Sequence, residues 1–507
     1  MKLHRLYAKN KRTSYWLKQW IKPAVGGLCI ASALLLLNAP LTDAAAAHNA
    51  VPVNVKAMQQ QGVYTVWSQN WDPEVRNTLQ QFCAQYGKDS PGYNANCHPY
   101  AVFDFDNTTS IMDMEEQLII WQLDHLAFAI PPAEMETVLR TGIPPEKLAL
   151  TYGANDGKDR PVAIGDAIAD AARDYDILYQ QGQVTLRGSD LDESTRNSAV
   201  YQDFKSKMRW LYDAVSETMD NSVSYPWVTY WFTNMTPLDV YTLAYDCDAY
   251  YSNPAKGATW NKGAYNGAVV PDSRAGRVNV SYKLGITVTP EIKELYANFE
   301  KNGIDVWINS ASNIDVIRAA VNYFQIPGVD GIVAMTNQLD ANQRYKNAYD
   351  YSLHPQTQGV GKALTIDKVI RPLYQGQGPV FCAMDSQGDF NFCTEYKNTK
   401  AVLVMNRQRS DDAALCAGIA VYQKKHGISL AQANKNGDTK FILQGRNENV
   451  GQLWPEDYTQ LLGKTEPAFL SAKGETALAQ MEKGQSIREI LQQDTKLKDY
   501  KGYKSRR

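Results

Sequence analysis

Four stretches of this chain end an apolar run on residues able to handle a phosphate ester. The first, YAVFDFDNTT, closes on Asp104, Asp106 and Thr108. Two aspartates at i and i+2, where an extended run becomes a loop, can both face one point. The first could attack phosphorus as a carboxylate nucleophile. The second could protonate the leaving oxygen. With a divalent cation the pair would also supply hard oxygen ligands. The second stretch, IDVWINSAS at 304–312, ends on Ser310 ahead of a helical pattern over 313–324. A hydroxyl and backbone N–H groups at a strand end facing a helix N-terminus suit a phosphate. In the third, GVGKALTIDKVI, Lys362 follows a glycine-containing turn and opens a helical pattern. A lysine there can neutralise a phosphate and hold a carboxylate nucleophile in place. The fourth, PVFCAMDSQGDFNF, puts Asp385 at the end of a strand and Asp389 four residues on. Both carboxylates can return to a metal at the first pair.

Elements must bring these four places together. Apolar runs predict strands at 100–104, 304–309, 331–336, 379–384 and 401–405, alternating with helical patterns. Such alternation implies an α/β fold: a Rossmann-like parallel sheet with helices on both faces, its site beyond the C-terminal ends of the strands. Nearly 200 residues lie between Thr108 and Asn302, too many for one crossover.

The order strand–DxDxT, strand–Ser, Gly–Lys–helix, strand–DxxxD resembles the haloacid-dehalogenase superfamily of phosphatases over about Tyr100–Arg407. The resemblance implies Asp104 as nucleophile and Asp106 as general acid and base. It implies Thr108, Ser310 and Lys362 as phosphate contacts. Mg²⁺ would be held by the side chains of Asp104 and Asp385 and the main-chain carbonyl of Asp106, with Asp389 supporting. It also implies that the long insertion is a cap that closes over the site and chooses the substrate. One departure stands out: the last motif of the family usually begins with Gly, and Met384 occupies that place.

The insertion holds 13 aromatic residues between Tyr201 and Tyr251, including YPWVTYWF and YDCDAYY. Tyr225, Trp227, Tyr230 and Trp231, with Asp246 and Asp248 nearby, could receive a quaternary ammonium over aromatic faces, or could simply form an aromatic core. MDMEEQLIIWQLDHLAF places Glu115 and Glu116 on a helix leading away from the first motif. DFDNTTSIMDMEE followed by a large insertion is similar to the bacterial periplasmic phosphorylcholine phosphatases. That likeness implies a glutamate binding the choline cation, Glu116 matching best and Glu115 being the near alternative. The phosphoserine-phosphatase branch shares all four motifs.

Outside the site, the N-terminus has the form of an address. Seven Lys/Arg in residues 1–47 precede and lead into the apolar run AVGGLCIASALLLL, with AAAA at 44–47 behind it. This is the pattern of a secretory signal peptide. The run is shorter than the roughly 20 residues a spanning helix needs. The expected organisation is a signal peptide at 1–47, an extension at 48–99, a catalytic core from 100–112 and 300–407, a cap at 113–299, an addition at 408–472 and a polar tail at 473–507, helical in pattern from Lys473 and solvated at its basic end from 496. Within the extension a helix is expected around Pro73–Tyr86, and FILQGRNENVGQLW reads as a strand and an ordered loop near the site.

Beyond residue 47 the chain carries 45 basic against 53 acidic residues, which argues against binding nucleic acid through its phosphates. Six cysteines follow the signal. In a periplasmic or secreted protein they permit disulfides, Cys83–Cys97 first and Cys393–Cys416 second. The resulting expectation is an exported Mg²⁺-dependent phosphomonoesterase acting on a small phosphomonoester, without stable membrane insertion after cleavage. A choline-type binding protein on the same scaffold is the alternative. Carbon–halogen hydrolysis is disfavoured, because a halide leaving group needs no proton from Asp106.

Overall fold

Strands four to nine residues long, each built on a short apolar run, form a sheet that is covered on both sides. The computed structural model describes residues 68–155, 160–256 and 260–493, and the segment 1–47 expected to be a signal peptide lies outside them. The sheet strands, numbered along the chain, are β1 (Tyr100–Phe103), β2 (Asp305–Asn313), β3 (Val329–Met335), β4 (Phe381–Met384), β5 (Ala401–Met405) and β6 (Lys440–Gln444). They are all parallel, in the order β6-β5-β4-β1-β2-β3. The five expected strands form. The sixth, β6, is the FILQ run, so the region after 407 belongs to the sheet itself.

Alternation along β1 and β4 divides the core into two layers. On one face Phe103 and Phe381 meet Phe82 of the helix Pro73–Tyr86 and Phe299 of the helix Pro290–Lys301; Phe82 and Phe381 stand 5.2 Å apart, Phe299 and Phe381 5.0 Å. The helix Pro290–Lys301 therefore packs on the sheet, and the chain returns to the core before residue 300. On the other face Tyr100, Val102, Cys382 and Met384 pack against the helix Ala413–Lys425 through Cys416, Ile419 and Ala420.

The insertion leaves and re-enters at one tie. Ile111 N–H donates to the Thr287 carbonyl at 2.8 Å and Thr287 N–H returns to Ile111 at 3.3 Å. Between these residues lie six helices of nine or more residues and two small antiparallel hairpin sheets. Its aromatic stretch is mostly core: Tyr230 and Trp231 are buried, and Trp231 packs on Trp227 and Phe128.

The disulfide expectation fails on packing. Among the described residues no disulfide links any of the six cysteines from Cys83 onward. The helix bearing Cys83 covers the Phe103/Phe381 face, whereas Cys97 packs against the Tyr100/Cys382 face, so the sheet separates them. Cys393 and Cys416 share one buried cluster with Cys382 but remain unbridged. The helical pattern expected from Lys473 appears as two docked helices, and the solvated terminus expected at 496–507 lies outside the described residues. Helices Ala472–Glu482 and Ile487–Leu491 seat Ala477, Met481 and Ile490 in the core cluster. Ile490→Ala should therefore cost about 2–5 kcal/mol in urea denaturation, the range for a truncated core aliphatic. A change below about 0.5 kcal/mol, as for an ordinary surface site, would mean that the last helix is undocked.

Among the described residues no helix is long and apolar enough to cross a membrane.

Candidate active site

The C-terminal ends of β1, β2 and β4 converge, as the parallel topology requires. Asp104 follows β1 directly and is buried. Its Oδ1 accepts from Lys362 Nζ at 2.5 Å and its Oδ2 from Thr108 Oγ1 at 2.8 Å. Lys362 also donates to Asp389 Oδ1 at 2.6 Å, so one buried ammonium bridges two carboxylates. Gly359 makes this approach possible. Its φ of 51° with ψ of −134° suits only glycine, and it turns the chain into the helix Val360–Thr365. Asn309 of β2 fixes that helix by donating to the Lys362 carbonyl at 3.1 Å.

Asp106 is held from both sides. Met114 N–H, at the start of the insertion, donates to Oδ1 at 2.7 Å. Ser312 Oγ donates to Oδ2 at 2.6 Å, and Ser310 Oγ reaches the same oxygen at 3.4 Å. Burial pushes the Asp106 carboxyl up to about 7, with the Ser312 hydrogen bond opposing and the charge of Asp104 adding. Burial likewise raises Asp104, against the pull of Lys362. Burial alone would lower the Lys362 ammonium, yet Asp104 and Asp389 hold it above its ordinary value.

Asp385 and Asp389 close the site from β4. Asp389 Oδ2 accepts from the backbone N–H groups of Asp385 and Ser386 at 3.4 and 3.3 Å, which folds the loop back on itself. Met384 does not disturb this, because it is the last strand residue and points into the core cluster. Oxygens of Asp104, Asp385 and Asp389 lie within 4.8 Å of one another. Three buried carboxylates against Lys362 and Arg407 leave excess negative charge on hard oxygen donors, a set that fits Mg²⁺.

These groups open on a cavity of about 230 Å³. Asp104, Asp106, Lys362, Asp385 and Asp389 line it, and so does Glu115. Three expected residues fall elsewhere. Thr108 and Ser310 lie beneath the cavity wall, bonded to Asp104 and Asp106, and position those carboxylates. Glu116 turns away to Arg209 at 2.7 Å, whereas Glu115 is buried and accepts the Asn313 N–H at 3.1 Å. Of the residues expected to receive a cation, Tyr225 and Trp227 reach the cavity, while Tyr230, Trp231, Asp246 and Asp248 do not line it.

Sequence inspection missed Ser312, Asp113, Tyr212, Arg407 and Arg409, all on the cavity wall. Ser312 carried a usable signal, since it stands two residues after Ser310 in SAS. So did Arg407, two residues past the end of β5, where a parallel sheet places functional groups.

The fold and this donor set define an α/β protein whose doubly covered parallel sheet carries an acidic, lysine-bridged site at its C-terminal edge. No protein family matches the chain, and no curated protein matches it. Among solved structures, a conserved protein of unknown function from Anaerococcus prevotii DSM 20548 is 26% identical, with 79% of this chain and 100% of that one covered and a TM-score of 0.66. A phosphoserine phosphohydrolase-like protein from Francisella tularensis subsp. tularensis SCHU S4 aligns at 14% identity over 61% of this chain and 87% of that one, with a TM-score of 0.26. Cytosolic 5'-nucleotidase IIIB bound to cytidine aligns at 10% identity over 70% and 83%, with a TM-score of 0.28. Scores of that size bear no weight for this chain.

Proposed function

We propose that this protein is an exported, Mg²⁺-dependent phosphomonoester hydrolase of the haloacid-dehalogenase type, acting on a small phosphomonoester such as phosphorylcholine. One observation carries the hydrolase reading: Asp104 and Asp106 line one cavity with Lys362 bonded to the first. Export rests on the basic-then-apolar N-terminal pattern alone.

An oxygen of Asp104 forms a bond to phosphorus as the bond from phosphorus to the alcohol oxygen breaks. Asp106 gives its proton to that departing oxygen. A carboxyl raised to about 7 can hold a proton for this step at neutral pH. Asp106, now a carboxylate, takes a proton from water. The resulting hydroxide oxygen bonds phosphorus, the aspartyl–phosphate bond breaks, and inorganic phosphate leaves. Lys362 offsets the charge that gathers around Asp104 and the phosphoryl oxygens. Asp104, Asp385 and the Asp106 carbonyl would hold Mg²⁺, with Asp389 supporting. The ion supplies further positive charge against the phosphoryl oxygens.

Glu115 and Asp113, with Tyr212, Tyr225 and Trp227, give the cavity an acidic and aromatic wall suited to a cationic alcohol. Arg409 on the same cavity supports a second reading, a phosphoserine-like substrate whose carboxylate meets a guanidinium. A screen of phosphomonoesters with and without Mg²⁺ tests both. Phosphate release from none of them would remove the hydrolase reading.

The cation subsite has its own pH signature. Burial pushes the Glu115 carboxyl up to about 8, with the Asn313 N–H opposing. Only its carboxylate attracts a cation, and the ionised fraction of a carboxyl titrating near 8 rises about 25-fold between pH 6.5 and 8.5, so the Michaelis constant for phosphorylcholine should fall by up to about 25-fold over that range. That for p-nitrophenyl phosphate, which has no cation, should not follow. Glu115→Gln should abolish the difference, and Glu116→Gln should leave it. Parallel profiles for both substrates in the wild-type protein would sink the subsite.

A further inference from the structure

The segment after the last strand reaches back into the site. Arg446, wholly buried, donates to the Asn107 carbonyl at 2.8 Å and to Asn107 Oδ1 at 3.0 Å. Asn107 stands between Asp106 and Thr108 with φ of 64°, a left-handed state that asparagine takes more readily than other side chains. Arg446 also meets Glu448 at 2.6 Å, and Glu448 is itself buried and accepts the Leu462 N–H at 3.0 Å. Burial would raise the Glu448 carboxyl, yet Arg446 and Arg407 hold it down to about 2, so it stays ionised. Arg407 comes to the same oxygen as an ion pair, its Nε 3.9 Å from Glu448 Oε1. From there Arg407 donates to Asp385 Oδ2 at 2.6 Å.

Asn107, Arg446, Glu448, Arg407 and Asp385 thus form one chain of alternating partners between the loop after β1 and the loop after β4. Its two arginines and the glutamate belong to no motif, and it spans 339 residues at its Arg446–Asn107 step. A guanidinium on one carboxylate oxygen leaves the other for a metal. It also fixes the rotation of the carboxylate, as outer partners of metal ligands do.

We propose that Arg407, oriented by the Arg446–Glu448 pair, is a positioning residue that sets the Asp385 carboxylate for its divalent cation. This rests on the metal site of the proposed function. Charge alone predicts the opposite behaviour, since a guanidinium beside a ligand repels a cation. The two effects differ in sign, and one variant separates them.

The test titrates the purified full chain with MgCl₂ and follows the melting temperature, which requires no substrate. In Arg407→Gln the half-saturating Mg²⁺ concentration should rise about tenfold, the usual size for losing an outer partner. If charge repulsion dominates, it should fall. Arg407→Lys keeps the charge and loses the fork geometry, and should weaken Mg²⁺ by a smaller factor. Glu448→Gln keeps the shape and the Leu462 bond and should weaken it too. Circular dichroism shows which variants are folded. Should Arg407→Gln not fold, the lysine and glutamine variants decide. Unchanged or tighter Mg²⁺ binding in the folded variants overturns the role of Arg407 and leaves the metal site standing. A wild-type melting temperature indifferent to Mg²⁺ overturns the metal site and this inference with it. A wild-type protein that binds Mg²⁺ but releases phosphate from no monoester, with the variants' titrations shifted as expected, would fault the proposed reaction and leave this inference standing.

Discussion

Asp104→Asn is expected to reduce turnover about 10⁴-fold or more while the protein stays folded. A neutral amide cannot form the acyl phosphate, and removing a covalent nucleophile leaves only binding and electrostatic assistance. The fold should tolerate the change for a physical reason. Burial already raises the Asp104 carboxyl, so the charge is unfavourable there apart from its pairing with Lys362. Asparagine keeps an oxygen for Lys362 and an amide group beside Thr108. Steady-state phosphate release measures the loss, and intact mass confirms that the amide has not reverted to acid. Turnover within tenfold of the wild type would falsify a covalent role for Asp104. Acid-quenched wild-type enzyme should carry phosphate on this residue, and the variant none.

Lys362→Met should have the largest effect on stability. Lys362 is the buried cation shared by Asp104 and Asp389, at 2.5 and 2.6 Å. Removing one partner of a buried ionic cluster costs about 3–5 kcal/mol, because the remaining charges stay out of water. The carboxyls can escape by binding protons, so the cost depends on pH. Asp389 is already pushed up to about 8, by burial first and by the neighbouring Asp104 charge second. Without Lys362 both acids shift further upward. Native protein then binds more protons than unfolded protein, and stability falls as pH rises from the unfolded carboxyl range through the folded values. Urea denaturation at pH 5.5 and pH 8.5 should show the smaller deficit at the first and the larger at the second. Mg²⁺ should restore part of it. Equal stability of variant and wild type at pH 8.5 would mean that the two carboxylates do not depend on this lysine. Turnover in the variant should fall about 10²–10³-fold, the usual size for losing one preorganised charge.

The residues of the site divide by how local their signal is. Asp104, Asp106, Lys362, Asp385 and Asp389 were legible because each ends an apolar run or follows a turn. A parallel strand covered on both faces reads as a continuous apolar run, and its C-terminal end is where a site forms. The strands were legible for the same reason, and so was the helix Pro73–Tyr86, which has a buried stripe, an Asp72 cap and a proline at its start.

What the chain's order could not settle turns on partners far away along it. Glu115 and Glu116 are adjacent on one helix and differ by about 100° in direction, since a turn holds 3.6 residues. Which of them meets the cavity was decided by Arg209, 93 residues beyond Glu116. Between Ser310 and Ser312 the choice fell to the irregular register of β2 against β3 after Asn309, which no propensity announces. Cys83 and Cys97 are near in sequence, yet a sheet assembled from strands centuries of residues apart comes between them. Arg446 and Glu448 lie in a stretch without a motif and acquire their place only when β6 joins the sheet beside β5. Local pattern fixed which side chains can do chemistry and where each run ends. Packing between distant elements fixed which of them share one cavity, because burial, ion pairing and strand register are properties of contacts rather than of segments.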